Sequence, residues 1–187
     1  MTDSQINPKS KQNFFDVLIG RLPSANVQLV FWSILLIGLA VDLYTKQLVF
    51  KHMDDNTYIP IIDNYLRLVT VHNDGAAFGI FAGHLNWLIT VSFIALIAVM
   101  IFFLFGGVKE KIMNVALALF AAGICGNLYD RVFHGGRVRD FIDVGINDLR
   151  WPAFNLADSF LCIAVGLMLI AIYLTERPCR KRAQQQK

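Results

Sequence analysis

The sequence predicts an all-α membrane protein: four transmembrane helices with a small β-structured lobe at one rim. Three observations predict it. Apolar residues make up 56% of the 187-residue chain and charged residues only 17%, with a mean hydropathy of +0.51; a soluble domain carries more charge. Four apolar runs reach the roughly 20 residues that a helix needs to cross a bilayer. One connector between them, residues 51–84, is long and rich in strand-favouring residues instead.

Residues 1–26 are polar, contain Pro8 and Pro23, and lack the short apolar core and cleavage site of a signal peptide. They are expected to form a cytoplasmic tail. Within it, Phe14–Ile19 either lies on the membrane surface or is an ordinary stretch of tail. The first span runs over about 27–50. The 51–84 connector follows, with Tyr, Ile, Leu, Val and Thr over 58–71 and a turn at Asn73-Asp74-Gly75. The second span covers about 85–105, the third about 112–133 and the fourth about 154–175. Helices are required because an open sheet leaves its backbone unsatisfied in lipid. The chain thus reads as one integral membrane domain over 27–176, closed by a basic cytoplasmic tail, 177–187.

Basic residues set the orientation. Ten lie before span one, between spans two and three, or after span four, including Lys9, Lys11, Arg21, Lys109, Lys111 and Arg177; five lie in the other two connectors. The excess marks the cytoplasmic side. Both termini are therefore expected inside, and the connectors 51–84 and 134–153 outside.

Composition also excludes several classes. The net charge of +3, with basic residues gathered near the termini, gives no nucleic-acid face. Three cysteines, Cys125, Cys162 and Cys179, are an odd count spread over two apolar spans and the tail, which does not make a disulfide framework. His52, His72, His84 and His134 are scattered, and no Cys or His pair has metal-ligand spacing, so no metal or other cofactor is expected.

The charged residues at membrane depth are the informative ones. Asp158 lies a few residues into an apolar span, and Asp140 lies in the connector just before it. A carboxylate there is expensive and faces a partner, a cavity or a reaction. Span three ends in Gly126-Asn127-Leu128-Tyr129-Asp130-Arg131, where Asn127, Asp130 and Arg131 share a helix face. Span four opens with Asn155 and Asp158 at i and i+3. Gly123 and Gly126 permit close approach of another helix. The polar faces of spans three and four can meet at the outer rim, with Asp140 and Asp143 in the loop between them. Two carboxylates sharing a site cannot both ionise cheaply, which leaves one base to activate water and one acid to polarise a carbonyl. Amide hydrolysis without a metal is the reaction class. Asp130, beside Arg131, is expected to form a structural ion pair, and Asp143 is also assigned to structure. Asp42 and Lys46, at i and i+4 in span one, form either a helix salt bridge or a contact with the outer lobe or a headgroup. The small residues of Asn73-Asp74-Gly75-Ala76-Ala77-Phe78-Gly79 suit either a plain turn or the close approach of a ligand chain.

Taken together, Asp42-x-x-x-Lys46, Asn73-x-Gly75-Ala76-Ala77-Phe78, Gly126-Asn127-x-x-Asp130-Arg131, Val138-x-Asp140-Phe141 and Phe154-Asn155-x-Ala157-Asp158 resemble the lipoprotein signal peptidases, or signal peptidase II. The resemblance runs from span one through span four. It implies an aspartyl endopeptidase of the bacterial inner membrane that cleaves prolipoproteins just before a diacylglyceryl-modified cysteine. It implies Asp140 and Asp158 as the catalytic pair, with Asn73, Asn127, Arg131 and Asn155 in supporting positions, and inhibition by globomycin-type compounds. Its partners would be lipidated prolipoproteins and membrane lipid, with nothing demanding more than a monomer. Three positions depart from the family's pattern: Asp74 where Thr is common, Gly79 where Ser is common, and Arg139 where an apolar residue usually precedes the aspartate.

Other functions fit less well. No Gly-x-Ser-Gly nucleophile accompanies Ser33, Ser92 or Ser159, and no Gly-x-Gly-Asp motif is present. A small transporter subunit relaying protons through Asp42, Lys46 and Asp158 would carry its charges near the bilayer midplane, whereas these lie near one rim.

Overall fold

The computed structural model describes residues 22–55, 57–75, 80–108 and 110–185, with side chains as far as Glu176. The Phe14–Ile19 stretch and Ala76–Gly79 lie outside the described residues. Four helices form: α1 (Ala25–His52), α2 (Leu85–Phe105), α3 (Lys111–Phe133) and α4 (Leu156–Gln185). All four are long and apolar enough to cross a membrane, α4 over Leu156–Glu176. They coincide with the runs read from hydropathy.

The helices do not share the core equally. In α3, 61% of the most apolar window is buried, against 17–22% in the other three. Its composition explains this: Ala116, Ala118, Ala121, Ala122, Gly123 and Gly126 keep its surface shallow, so neighbouring backbones can approach closely. A side chain on Gly123 would strike the Ala157 carbonyl and Leu161, and Gly38 of α1 sits over Ala122. Farther along the bundle, Phe31 and Phe103 stack with ring centres 3.7 Å apart. Around them Leu35, Val99, Leu117 and Ile124 complete an apolar core. The outward faces of α1, α2 and α4 leave many large apolar side chains exposed, such as Leu36, Ile94 and Leu169, which is the surface a lipid solvent requires.

A four-stranded antiparallel sheet, in the order β1–β2–β3–β4, caps the end where α3 finishes and α4 begins. The 51–84 connector supplies β1 (Tyr58–Ile62) and β2 (Leu66–Asn73), as its composition predicts. The other connector adds β3 (Val138–Ile146) and β4 (Leu149–Arg150). These two strands were not foreseen. Arg139, Asp140 and Asp143 make the segment read as a polar loop, yet all three are buried because each finds a partner inside the fold.

The register places the site. Val71 lies opposite Asp140 and Asn73 opposite Val138, after an irregularity between Leu68 and Val71. The chain entering α4 then pairs with β3. Phe154 donates to the Ile142 carbonyl at 2.9 Å, and its own carbonyl accepts from Phe141 at 3.0 Å and Ile142 at 2.8 Å. This pairing holds the first turn of α4 against the strand that carries Asp140.

Candidate active site

Asp140 lies on β3, Asp158 in the first turn of α4, and both line one cavity of about 850 Å³. Asn73, Asn127 and Arg131 line it too, whereas Asn155, Asp42 and Lys46 do not. Much of the remaining lining is apolar, including Trp151, Pro152, Phe154, Leu161 and Ile163.

Side-chain amides connect the two carboxylates. Asp140 is 2% exposed. Its Oδ2 accepts from Asn73 Nδ2 at 2.9 Å, and its Oδ1 accepts from Asn155 Nδ2 at 2.6 Å. The same Asn155 amide donates to Asn127 Oδ1 at 3.2 Å. Asn127 Nδ2 donates to Asp158 Oδ1 at 2.7 Å. Asn155 and Asp158 also cap each other: the Asn155 main chain donates to Asp158 Oδ2 at 3.2 Å, and Asn155 Oδ1 accepts from the Asp158 N–H at 3.1 Å. This reciprocal arrangement satisfies orphan N–H groups at the start of α4 and orients Asp158. Burial, and then the neighbouring Asp158, push the Asp140 carboxyl up to about 7.

Asn73 does double duty. Its Oδ1 accepts from the Gly75 N–H at 2.9 Å, closing the predicted turn. Arg131 then donates to the Gly75 carbonyl at 2.8 Å, which ties that turn to the end of α3. Its Nε is buried with no hydrogen-bond partner.

The ion pair expected between Asp130 and Arg131 does not form. Asp130 instead binds Arg139 at 2.7 Å and Lys46 at 3.4 Å. Consecutive residues on a helix point about 100° apart, so Arg131 reaches the turn while Asp130 faces α1 and β3. The i, i+4 salt bridge between Asp42 and Lys46 is present at 2.8 Å, with both side chains fully buried. It is more than a helix staple. Lys46 also donates to Asn127 Oδ1 at 3.2 Å, and Asp42 accepts the Ala157 N–H at 2.9 Å. Both therefore support the amides and the helix start from behind the cavity. Asp143 lies outside the cavity, where Arg67 and Arg150 bind it, the latter at 3.0 Å. These contacts join β2, β3 and β4 rather than reaching the carboxylate pair. Gln47 and Arg139 were not singled out as site residues; only their packing reveals them. Among the described residues, no group of three or more His, Cys, Asp or Glu is placed to hold a metal ion.

Comparison with known proteins decides the class. Residues 34–174 match the family described as signal peptidase (SPase) II. The chain belongs to the signal peptidase II family. It is similar to the lipoprotein signal peptidase of Halalkalibacterium halodurans, with 33% identity over 153 residues that cover 82% of this chain and 97% of the relative. Two solved structures of a bacterial membrane enzyme, at 2.3 Å and 1.9 Å resolution, share 35% identity with it. The first superposes with a TM-score of 0.72 over 79% of this chain and 88% of the other, the second with 0.68 over 76% and 91%. Signal peptidase II is an aspartic-type peptidase of lipoprotein processing, and this chain is a multi-pass membrane member of it. The transporter reading of Asp42, Lys46 and Asp158 is not favoured.

Proposed function

We propose that Asp140 and Asp158 are the catalytic pair of this peptidase, and that it cuts prolipoproteins just before the diacylglyceryl-modified cysteine at the outer face of the bacterial inner membrane. The observation that carries this reading is the amide relay Asp140–Asn155–Asn127–Asp158 at one cavity. Asp140, whose carboxyl burial and Asp158 push up to about 7, is the member of the pair that carries the proton as pH falls through that value, and it polarises the scissile carbonyl. Asp158 is the base. It takes a proton from water as the water oxygen bonds to the carbonyl carbon. The C–N bond then breaks, the proton passes to the leaving nitrogen, and the cysteine amine separates from the signal-peptide carboxylate. Asn73, Asn127, Asn155 and Arg131 hold the pair and the adjoining turn, and Asp42 and Lys46 brace them.

The apolar lining from Trp151, Phe154, Leu161 and Ile163 suits acyl chains, and a substrate anchored in the same bilayer arrives with much of its translational freedom already lost. The basic-residue bias supports an outward-facing cavity. Every side chain of the relay comes from one chain, which suits a monomer, and the 27–176 unit contains the whole constellation. Globomycin-type inhibitors are expected to occupy this cavity.

Cleavage of a purified diacylated prolipoprotein and of its unmodified form tests the reading. The lipidated form should be cut far faster. Asp140→Asn and Asp158→Asn should each remain folded and lose at least about 10²–10⁴-fold in activity. Retained turnover in either variant defeats the pair assignment, and equal rates on the two substrates defeat the lipid requirement.

A further inference from the structure

A second group of buried charges lies directly behind the aspartate pair. Asp130 holds residue 139 in two ways. It accepts the Arg139 main-chain N–H at 3.0 Å and binds the guanidinium through Nε at 3.2 Å and Nη2 at 2.7 Å. The remaining arm of Arg139 donates to Gln47 on α1 at 3.3 Å. Arg139 is 5% exposed. One side chain thus fastens β3 to α1 and α3 at the residue immediately before Asp140.

The charge count around the site gives this contact a further meaning. Asp42, Asp130, Asp140 and Asp158 bring four carboxyl groups, all but Asp158 buried. Lys46, Arg131 and Arg139 bring three cations, all buried. With one aspartate of the pair protonated, the cluster is neutral. Remove Arg139 and the same state carries one uncompensated negative charge in a poorly solvated place, which is costly. The relief is a proton held more tightly within the cluster, on the pair as well as on Asp130, which loses its direct partner.

Other titratable groups face Arg139 as well. His72 of β2 lies opposite it in the sheet. His134, at the end of α3, sits 3.5 Å from Asp130. Asp143 is engaged with Arg67 and Arg150. Neither histidine is a permanent cation, and the charges of Arg67 and Arg150 are directed at Asp143, outside the cluster.

We propose that Arg139 is a positioning residue for the aspartate pair: it latches β3 beside Asp140 and supplies the third cation that lets one aspartate of the pair remain ionised. The inference rests on the catalytic assignment of Asp140 and Asp158.

The test is the pH dependence of kcat/KM on a diacylated prolipoprotein for Arg139→Val, Arg139→Gln and Arg139→Lys in the full-length purified enzyme. Loss of the cation should move the acid limb to higher pH by about one unit, the size expected for a nearby charge at an effective dielectric near 20. Arg139→Gln keeps polar contacts and should shift; Arg139→Lys keeps the charge and should hold the parental profile at a lower rate. If Arg139→Val does not fold, the Gln and Lys pair decides the matter. A profile for Arg139→Gln that superimposes on the parent, with only Tm lowered, overturns the proposal, and so does a Lys variant shifted as far as Gln. Activity retained in Asp140→Asn would instead defeat the catalytic assignment, a separate result.

Discussion

Asn155 donates to Asp140 at 2.6 Å from the residue that opens the helix carrying Asp158. One amide thus links the strand aspartate to the helix aspartate and caps the helix between them. Asn155→Ala removes the link and the cap together. Activity should fall about 10²-fold, the scale of losing one preorganised hydrogen bond at a reacting group, and stability by about 1 kcal/mol for the cap. Single-turnover cleavage and thermal unfolding in detergent check the two effects. Unchanged turnover would sever the relay from the chemistry.

Asp140 sets a pH dependence whose sign follows from its environment. Its carboxyl is raised from 3.8 to about 7, by burial first and Asp158 second. A protonated Asp140 is needed, so kcat/KM should decline as pH rises through about 7. The folded state holds this proton more tightly than the unfolded chain does. Its stabilising contribution is therefore complete below about pH 4 and is lost as pH rises through the folded value. Thermal unfolding should show that loss between pH 4 and 8, and Asp140→Asn should flatten it. An Asp140→Asn variant with the parental slope would show that another group is responsible.

Asp143 separates the sheet's integrity from the chemistry. Its two arginine partners come from β2 and β4. Asp143→Ala should cost about 1.5–3 kcal/mol, the range for hydrogen bonds to a charged group, with turnover kept within about tenfold. Unfolding and cleavage measured on one preparation decide this; inactivity at parental stability would put Asp143 in the mechanism.

Gly126 has no room for a side chain. A Cβ there would run into Asp42 Oδ2 and would meet the Ala157 Cβ at 3.0 Å. Gly126→Ala should destabilise by about 1–3 kcal/mol, as overpacking does, and should also disturb the Asp42–Ala157 bond that supports α4. Gly166, with nothing within 4 Å, is the control, and Gly166→Ala should be tolerated.

The outward orientation can be tested with single cysteines in a cysteine-free background. Asp63→Cys and Asp148→Cys, both at exposed positions of the lobe, should react with an impermeant thiol reagent in intact cells. Glu110→Cys, at the opposite end of the bundle, should react only after permeabilisation. The reverse pattern would put the cavity on the cytoplasmic side.

The spans were legible because twenty-residue apolar runs leave a chain in lipid little choice. The convergence of Asp140, Asp158, Asn127 and Asn155 was legible because i, i+3 spacing and a short connector force two polar helix ends together. The partner of Asp130 was not. Adjacency in sequence pointed to Arg131, but the helical rotation between neighbours sends the two side chains apart, and Asp130 meets Lys46 and Arg139 across the fold. Nor was β3 legible. Its charges resemble those of a surface loop until each is seen against its partner, and such pairing depends on contacts as distant in sequence as Arg67 to Asp143.

The return of the chain at Phe154 to pair with Ile142 has a consequence for how this enzyme can vary. Everything between those two residues is a closed detour whose length does not affect the separation of the aspartates. Residues can be added at the Asn147-Asp148 tip, reshaping the outer surface, without moving Asp140 relative to Asp158. One residue added between Phe154 and Asp158 would instead swing that carboxylate by about 100° around its helix, away from the cavity. The Asn147-Asp148 tip is free to diversify; Asp143 with its arginines, the cavity-lining Trp151 and Pro152, and the four-residue step from Phe154 to Asp158 are not.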